Sequence, residues 1–275
     1  MRIPRFLVKK QGDNALWHSP PYPPINGGGN QQGSAIVWIL IAIALFAALN
    51  FTISQGSRSG TQSITKEQAR LAATEILDYG RAIKQAVQTL QINGCSDTEV
   101  SFENPVVPGY EHTPPARDEC KVFHPAGGGL NYLEPEEEWM DGLATSQAAG
   151  HYGTWFTNSR VHIRGLGIDN NGSVCSSGTG DCKELTTGVP FIKKEICIEI
   201  NKKIGWGVDD NGTPYQDTGA SYGTGTLFTG SYPSGGVQMG TASPSNYSNI
   251  MTGCIEGDVA PPSGTYSFFQ VLIVR

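Results

Sequence analysis

Residues 34–53 read SAIVWILIAIALFAALNFTI, twenty positions without one charged side chain. At about 1.5 Å per residue, a helix of this length spans roughly 30 Å, the thickness of a hydrocarbon core. Eleven of the twenty are Ile, Leu, Val or Phe. At about −0.3 to −0.6 kcal/mol each they favour insertion by a few kcal/mol, against the modest opposition of Asn50 and Thr52. The stretch predicts a transmembrane helix over residues 34–55. Ala44 and Ala48 form a small-xxx-small pair that lets a neighbouring helix approach closely. A cleaved secretory signal is the competing reading, because the strictly apolar run from Ala35 to Leu49 is short enough for one. The leader before it is long, however, and no small-residue cleavage site follows Leu49.

Charge is divided across this stretch. Residues 1–33 carry Arg2, Arg5, Lys9 and Lys10 against Asp13, a net of +3. The remainder carries 15 Lys/Arg and 24 Asp/Glu, a net of −9, and the two parts sum to the chain's −6. Basic flanks stay cytoplasmic, so the segment beyond residue 56 is expected outside. Its acidity excludes nucleic acid as a partner, since phosphate recognition needs clustered Lys and Arg. All six cysteines follow the apolar stretch: Cys95, Cys120, Cys175, Cys182, Cys197 and Cys254. An even set confined to the exported side predicts disulfides in an oxidising compartment. Pairing between near neighbours gives Cys95–Cys120 and Cys175–Cys182, which leaves Cys197–Cys254. Free thiols or a metal site are the alternative, but no CxxC zinc spacing is present.

Composition divides the chain further. Residues 1–33 form a basic leader whose Pro-, Gly-, Asn- and Gln-rich part, 11–33, is expected to stay disordered. Residues 56–64 are a polar linker. Over 65–93 an apolar stripe recurs at steps of three and four: Ala69, Ala72, Ile76, Tyr79, Ile83, Ala86 and Leu90. That is one face of an amphipathic helix. Thr65 and Gln68 have capping-box spacing, and Asn93-Gly94 is a stop signal. The stripe predicts docking against the chain's own domain or against neighbouring subunits.

Residues 94–275 are rich in Gly and turn residues, with short apolar runs, and predict one loop-rich domain that contains β structure. The segment 154–168 alternates like a strand. Residues 190–204 (PFIKKEICIEINKKI) carry both periods, but Pro190 and Gly205 at the ends favour a helix. Residues 265–275 (TYSFFQVLIVR) read as a buried strand, and 207–250 as irregular loops. The fold class expected is α+β: a long N-terminal transmembrane and amphipathic helix packed on a loop-rich, disulfide-stabilised domain.

A basic leader ending in Gly33, a membrane helix, an amphipathic helix and a disulfide-bearing domain that ends in a strand together resemble a type IV pilin or pseudopilin. The stretch GSAIVWILIAIALFAALNFTISQGSRSG, the segment CSDTEVSFENPVVPGY and the ending YSFFQVLIVR are also similar to pilin-like proteins of alphaproteobacteria. The resemblance implies cleavage by a prepilin-type peptidase between Gly33 and Ser34. It further implies a filament-forming helix over 34 to about 93, other pilin-like subunits and membrane lipid as partners, and a single-pass inner-membrane location with the C-terminal domain periplasmic or extracellular. One departure stands out. Most pilins carry Glu at the fifth mature position, where Trp38 stands here, and no acidic residue occurs between Ser34 and Glu67. A minor or tip subunit is the role that tolerates this departure.

Candidate chemistry in the domain is sparse. GASYG (219–223) matches G-x-S-x-G with Ser221 as formal nucleophile, but it lacks the apolar strand and following helix that an elbow needs. His112, His124, His151 and His162 are scattered without a metal-binding spacing. No enzyme activity and no cofactor are expected. Calcium is the one metal reading, with Asp169, Asn171, Asp209 and Asn211 of two Asn-Gly turns, and Asp217 beyond the second, as oxygen ligands. Plain turn chemistry explains the same residues. The run EPEEEW (134–139) reads as a solvated helix start, its acids near a positive dipole end, or as a partner surface.

Overall fold

The computed structural model of the chain describes residues 37–45, 64–168, 172–173, 175, 182–207, 211–217, 225–233, 237–239, 249–259 and 261–275. The chain divides into two compact units, Met1–Ser59 and Gly60–Arg275. In the first, helix α1 covers residues 37–45. Its large apolar side chains are exposed, among them Trp38 and Leu45. The rest of the expected span 34–55, with Gly33 and Ser34, lies outside the described residues, as do the leader and most of the linker. Among the described residues no helix is long and apolar enough to cross a membrane.

The second unit is α+β with three disulfides. It opens with helix α2, Lys66–Ile92. Thr65 caps it: the Gln68 amide N–H donates to the Thr65 hydroxyl and the Thr65 N–H donates to the Gln68 side chain. This satisfies two otherwise orphaned donors. Asn93 ends the helix, and Gly94 follows at φ 93°, where only glycine turns without steric cost. The buried face contains six of the seven stripe residues, with Tyr79 half-buried, and is widened by Ala73, Leu77, Gly80 and Val87.

That face meets a four-stranded antiparallel sheet of order β1-β3-β6-β5. The strands are β1 (Phe156–Asn158), β3 (Leu185–Ile192), β5 (Thr252–Glu256) and β6 (Tyr266–Ile273). Strand β6 shows why the sheet is central. Its side chains alternate between faces. Tyr266, Phe268 and Leu272 join the core shared with α2, whereas Phe269 and Val271 join a second cluster. All eight of its residues are buried. Gly80 of α2 makes the close approach, since a Cβ there would stand 3.1 Å from the Phe268 ring. The second cluster lies under a two-stranded parallel pair, β2 (Val161–Ile163) with β4 (Val237–Met239). A short helix, α3 (Ala144–Gln147), precedes β1.

The cysteines pair as expected: Cys95–Cys120, Cys175–Cys182 and Cys197–Cys254. Three local expectations are corrected. The helix expected over 190–204 begins only at Lys194, as α4 (Lys194–Ile204), and ends on Gly205 in the left-handed conformation. Pro190 belongs instead to β3, where the register shifts between Val189 and Ile192 and Phe191 takes φ 62°. Such an irregularity is where a strand tolerates a residue that cannot donate to the ladder. The alternating segment 154–168 makes two three-residue strands, β1 and β2, not one. Between them Arg160 N–H donates to the Asn158 side-chain oxygen and turns the chain. The acidic run 134–139 supplies only a single 3-10 turn, Glu137–Trp139. The Lys193 N–H donates to Trp139 O and the Asp141 N–H to Phe191 O, which fastens that turn to the irregular end of β3.

Candidate functional site

Beside α2 runs a groove of about 490 Å³, lined by Glu75, Asp78, Tyr79, Ala82, Leu133, Glu134, Glu136, Trp139 and Trp155. It exists because Tyr79 breaks out of the buried stripe. Its hydroxyl donates to Asn131 O at 2.7 Å and accepts from the Leu133 N–H at 2.9 Å. The segment ahead of the acidic run is thereby pinned along the helix. Burial pushes the Tyr79 phenol up to about 12, with the Leu133 N–H opposing and Tyr132 adding. The Tyr79 ring stands 4.9 Å from that of Trp155, which meets Phe268 edge-on at 6.1 Å. The floor is therefore continuous with the core and rigid. Two further tyrosines brace it: Trp155 N–H donates to the Tyr132 hydroxyl, and Tyr110 donates to Trp155 O while accepting from Thr157 N–H.

The rim is acidic. Asp78 is paired with Arg81 at 2.9 Å. Glu75, Glu134 and Glu136 are exposed, and no Lys or Arg lines the groove. Leu133, at 57% exposure, leaves an apolar surface at the mouth. What this geometry can do is bind: it presents carboxylates around an aromatic and aliphatic floor and holds no nucleophile-and-base pair.

Two further clefts, of about 250 and 490 Å³, share His151. One is bounded by Val107, Pro108, Thr154 and Leu227, the other by Ser159, Thr226, Thr229 and Ser231. His151 Nε2 is 2.8 Å from Gly225 O, and its ring lies 4.3 Å from that of Phe156. Burial lowers the His151 imidazole below its ordinary value, with the Gly225 carbonyl opposing. His112 is buried edge-on against Phe228 and is lowered in the same way. His124 is half-exposed near Asp118. His162 is fully buried 3.7 Å from Glu184. None of the four is hydrogen-bonded to a serine, threonine or cysteine side chain among the described residues.

Ser221, Asp169, Asn171 and Asp209 lie outside the described residues. Of the calcium candidates that remain, Asn211 is exposed and Asp217 buried. The described residues contain no group of three or more His, Cys, Asp or Glu able to hold a metal. Sequence reasoning marked Tyr79 as a stripe residue and Trp139 as the end of the acidic run, but it did not mark Leu133 or Trp155. Contacts more than fifty residues apart, such as Tyr79 to Asn131, leave no local signal.

Set against known protein families, curated proteins and solved structures, the chain matches none of them.

Proposed function

We propose that the chain is a membrane-anchored, pilin- or pseudopilin-like structural subunit, a minor or tip component of a filament or secretion system, and not an enzyme. The observation that carries this reading is the placement of α2. A capped amphipathic helix of 27 residues is laid on an antiparallel sheet at the start of the folded unit, one short polar linker after the uncharged run 34–53 in sequence. The exposed apolar side chains of α1 suit a lipid surround, and three disulfides suit an oxidising compartment. Function is then mechanical. The apolar segment inserts, a prepilin-type peptidase trims the leader, helices of adjacent subunits stack in lipid, and the acidic domain is displayed.

Mapping the mature N-terminus of the membrane-extracted protein tests the reading. A chain that begins at Ser34 with an N-methylated amine is the expected result, and a chain that still begins at Met1 or Arg2 removes it. A second reading, a signal-anchored envelope or binding protein that never polymerises, is favoured by Trp38 at the position where most pilins hold Glu. Full-length protein in the membrane and none in sheared filaments selects that reading.

A further inference from the structure

The groove beside α2 has an apolar floor open to solvent at Leu133 and a rim of four carboxylates, of which Asp78 alone has a Lys or Arg partner among the described residues. We propose that it docks a basic segment of a partner protein, with one apolar side chain of that segment seated over Leu133 and Trp139. Charge complementarity identifies this occupant. Asp78 is already answered by Arg81, but Glu75, Glu134 and Glu136 are exposed, and no cation stands among the lining residues. Such a rim attracts Lys and Arg and fixes the register of whatever lies between them. The floor supplies the second half of the recognition. Leu133 is 57% exposed beside the half-buried Tyr79, and the hydroxyl bonds of Tyr79 hold both walls in place, so a guest side chain loses water without the host reorganising. A cleft of about 490 Å³ suits a few side chains and not a whole domain. A second copy of this chain is the poorer guest, because the part beyond residue 33 carries a net charge of −9. The docking rests on the folded unit alone and stands whether or not the chain is processed or polymerises.

The test uses the full chain in lipid nanodiscs and three labelled hexapeptides, KLKKLK, KSKKSK and ELEELE, read by fluorescence anisotropy at low and high salt. KLKKLK is expected to bind in a salt-dependent way, and the triple variant Glu75→Gln/Glu134→Gln/Glu136→Gln to bind it about tenfold more weakly. Leu133→Ser, an exposed change that leaves the fold alone, is expected to weaken KLKKLK and leave KSKKSK unchanged. Equal binding of KLKKLK and KSKKSK, equal binding of ELEELE, or no effect of either variant overturns the proposal. A photocrosslinking residue at position 133 addresses the occupant in the native membrane, and a product joining two copies of this chain overturns it as well.

Discussion

Two buried polar sites in the same domain are built in opposite ways. At the junction of α4 and β5, Asn201 is fully buried and fully used. Its amide donates to Gly207 O at 2.9 Å and Cys254 O at 2.7 Å, and its oxygen accepts from the Cys254 N–H at 2.8 Å. The Cys197–Cys254 disulfide joins the same helix to the same strand. Beside β2, His162 and Glu184 are equally buried, but among the described residues the one hydrogen bond made by their side chains is from Ile163 N–H to a Glu184 oxygen. Both His162 nitrogens, the other Glu184 oxygen and the Asn158 amide nitrogen make no hydrogen bond among the described residues. A buried polar group stabilises when its bonds are complete and costs free energy when they are not. The first site is a latch between elements, whereas the second leaves buried polar atoms unanswered among the described residues.

The largest effect expected from this contrast comes from the bridges that accompany each site. Closing a loop of 57 residues, Cys197–Cys254 restricts the unfolded chain far more than Cys175–Cys182, which closes 7. Replacing the first pair by Ala is expected to lower unfolding free energy by about 4 kcal/mol, and the second pair by about 2.5 kcal/mol. Urea unfolding of the full chain in detergent checks both, and equal losses would break the ordering. Asn201→Leu comes next. It strands three buried backbone groups and should cost about 3 kcal/mol in the same measurement.

His162→Leu with Glu184→Gln is the counterpart. It removes the ionisable pair while keeping an acceptor for Ile163, and is expected to leave stability unchanged or raise it by about 1 kcal/mol. A loss as large as that of Asn201→Leu would erase the distinction between the two sites. The smallest effect concerns acid. Burial lowers His112 and His151 below their ordinary value of 6.5, so the unfolded chain takes up protons more readily than the folded one. Stability is then complete above that value and falls as pH drops through it. His151→Gln should flatten the decline in thermal midpoint between neutral pH and mild acid, and an unchanged slope would count against that assignment.

At both ends of α2 the sequence was legible for a local reason. Thr65 and Gln68 lie within one turn of each other, and Asn93-Gly94 carries its own backbone preference, so α2 was readable to within a residue at both ends. Gly205 worked in the same way for the end of α4. Pro190 misled because its fixed φ suits a helix start and a strand irregularity alike, and only pairing of β3 with β6 separates the two. The candidate site was less legible. Tyr79 looked like one more member of an apolar stripe, and nothing nearby in sequence marks Asn131 or Leu133 as the groups its hydroxyl would hold.

By itself the sequence determined the uncharged run 34–53, the division of charge about it, the amphipathic period of α2 and the even cysteine set, because each is a property of neighbouring residues or of composition. Tertiary structure alone decided that β6 lies between β3 and β5, that Asn201 closes α4 onto β5, and that Tyr79, Leu133 and Trp155 meet to form a groove. Those outcomes depend on which distant surfaces are brought together, and packing, not local preference, makes that choice.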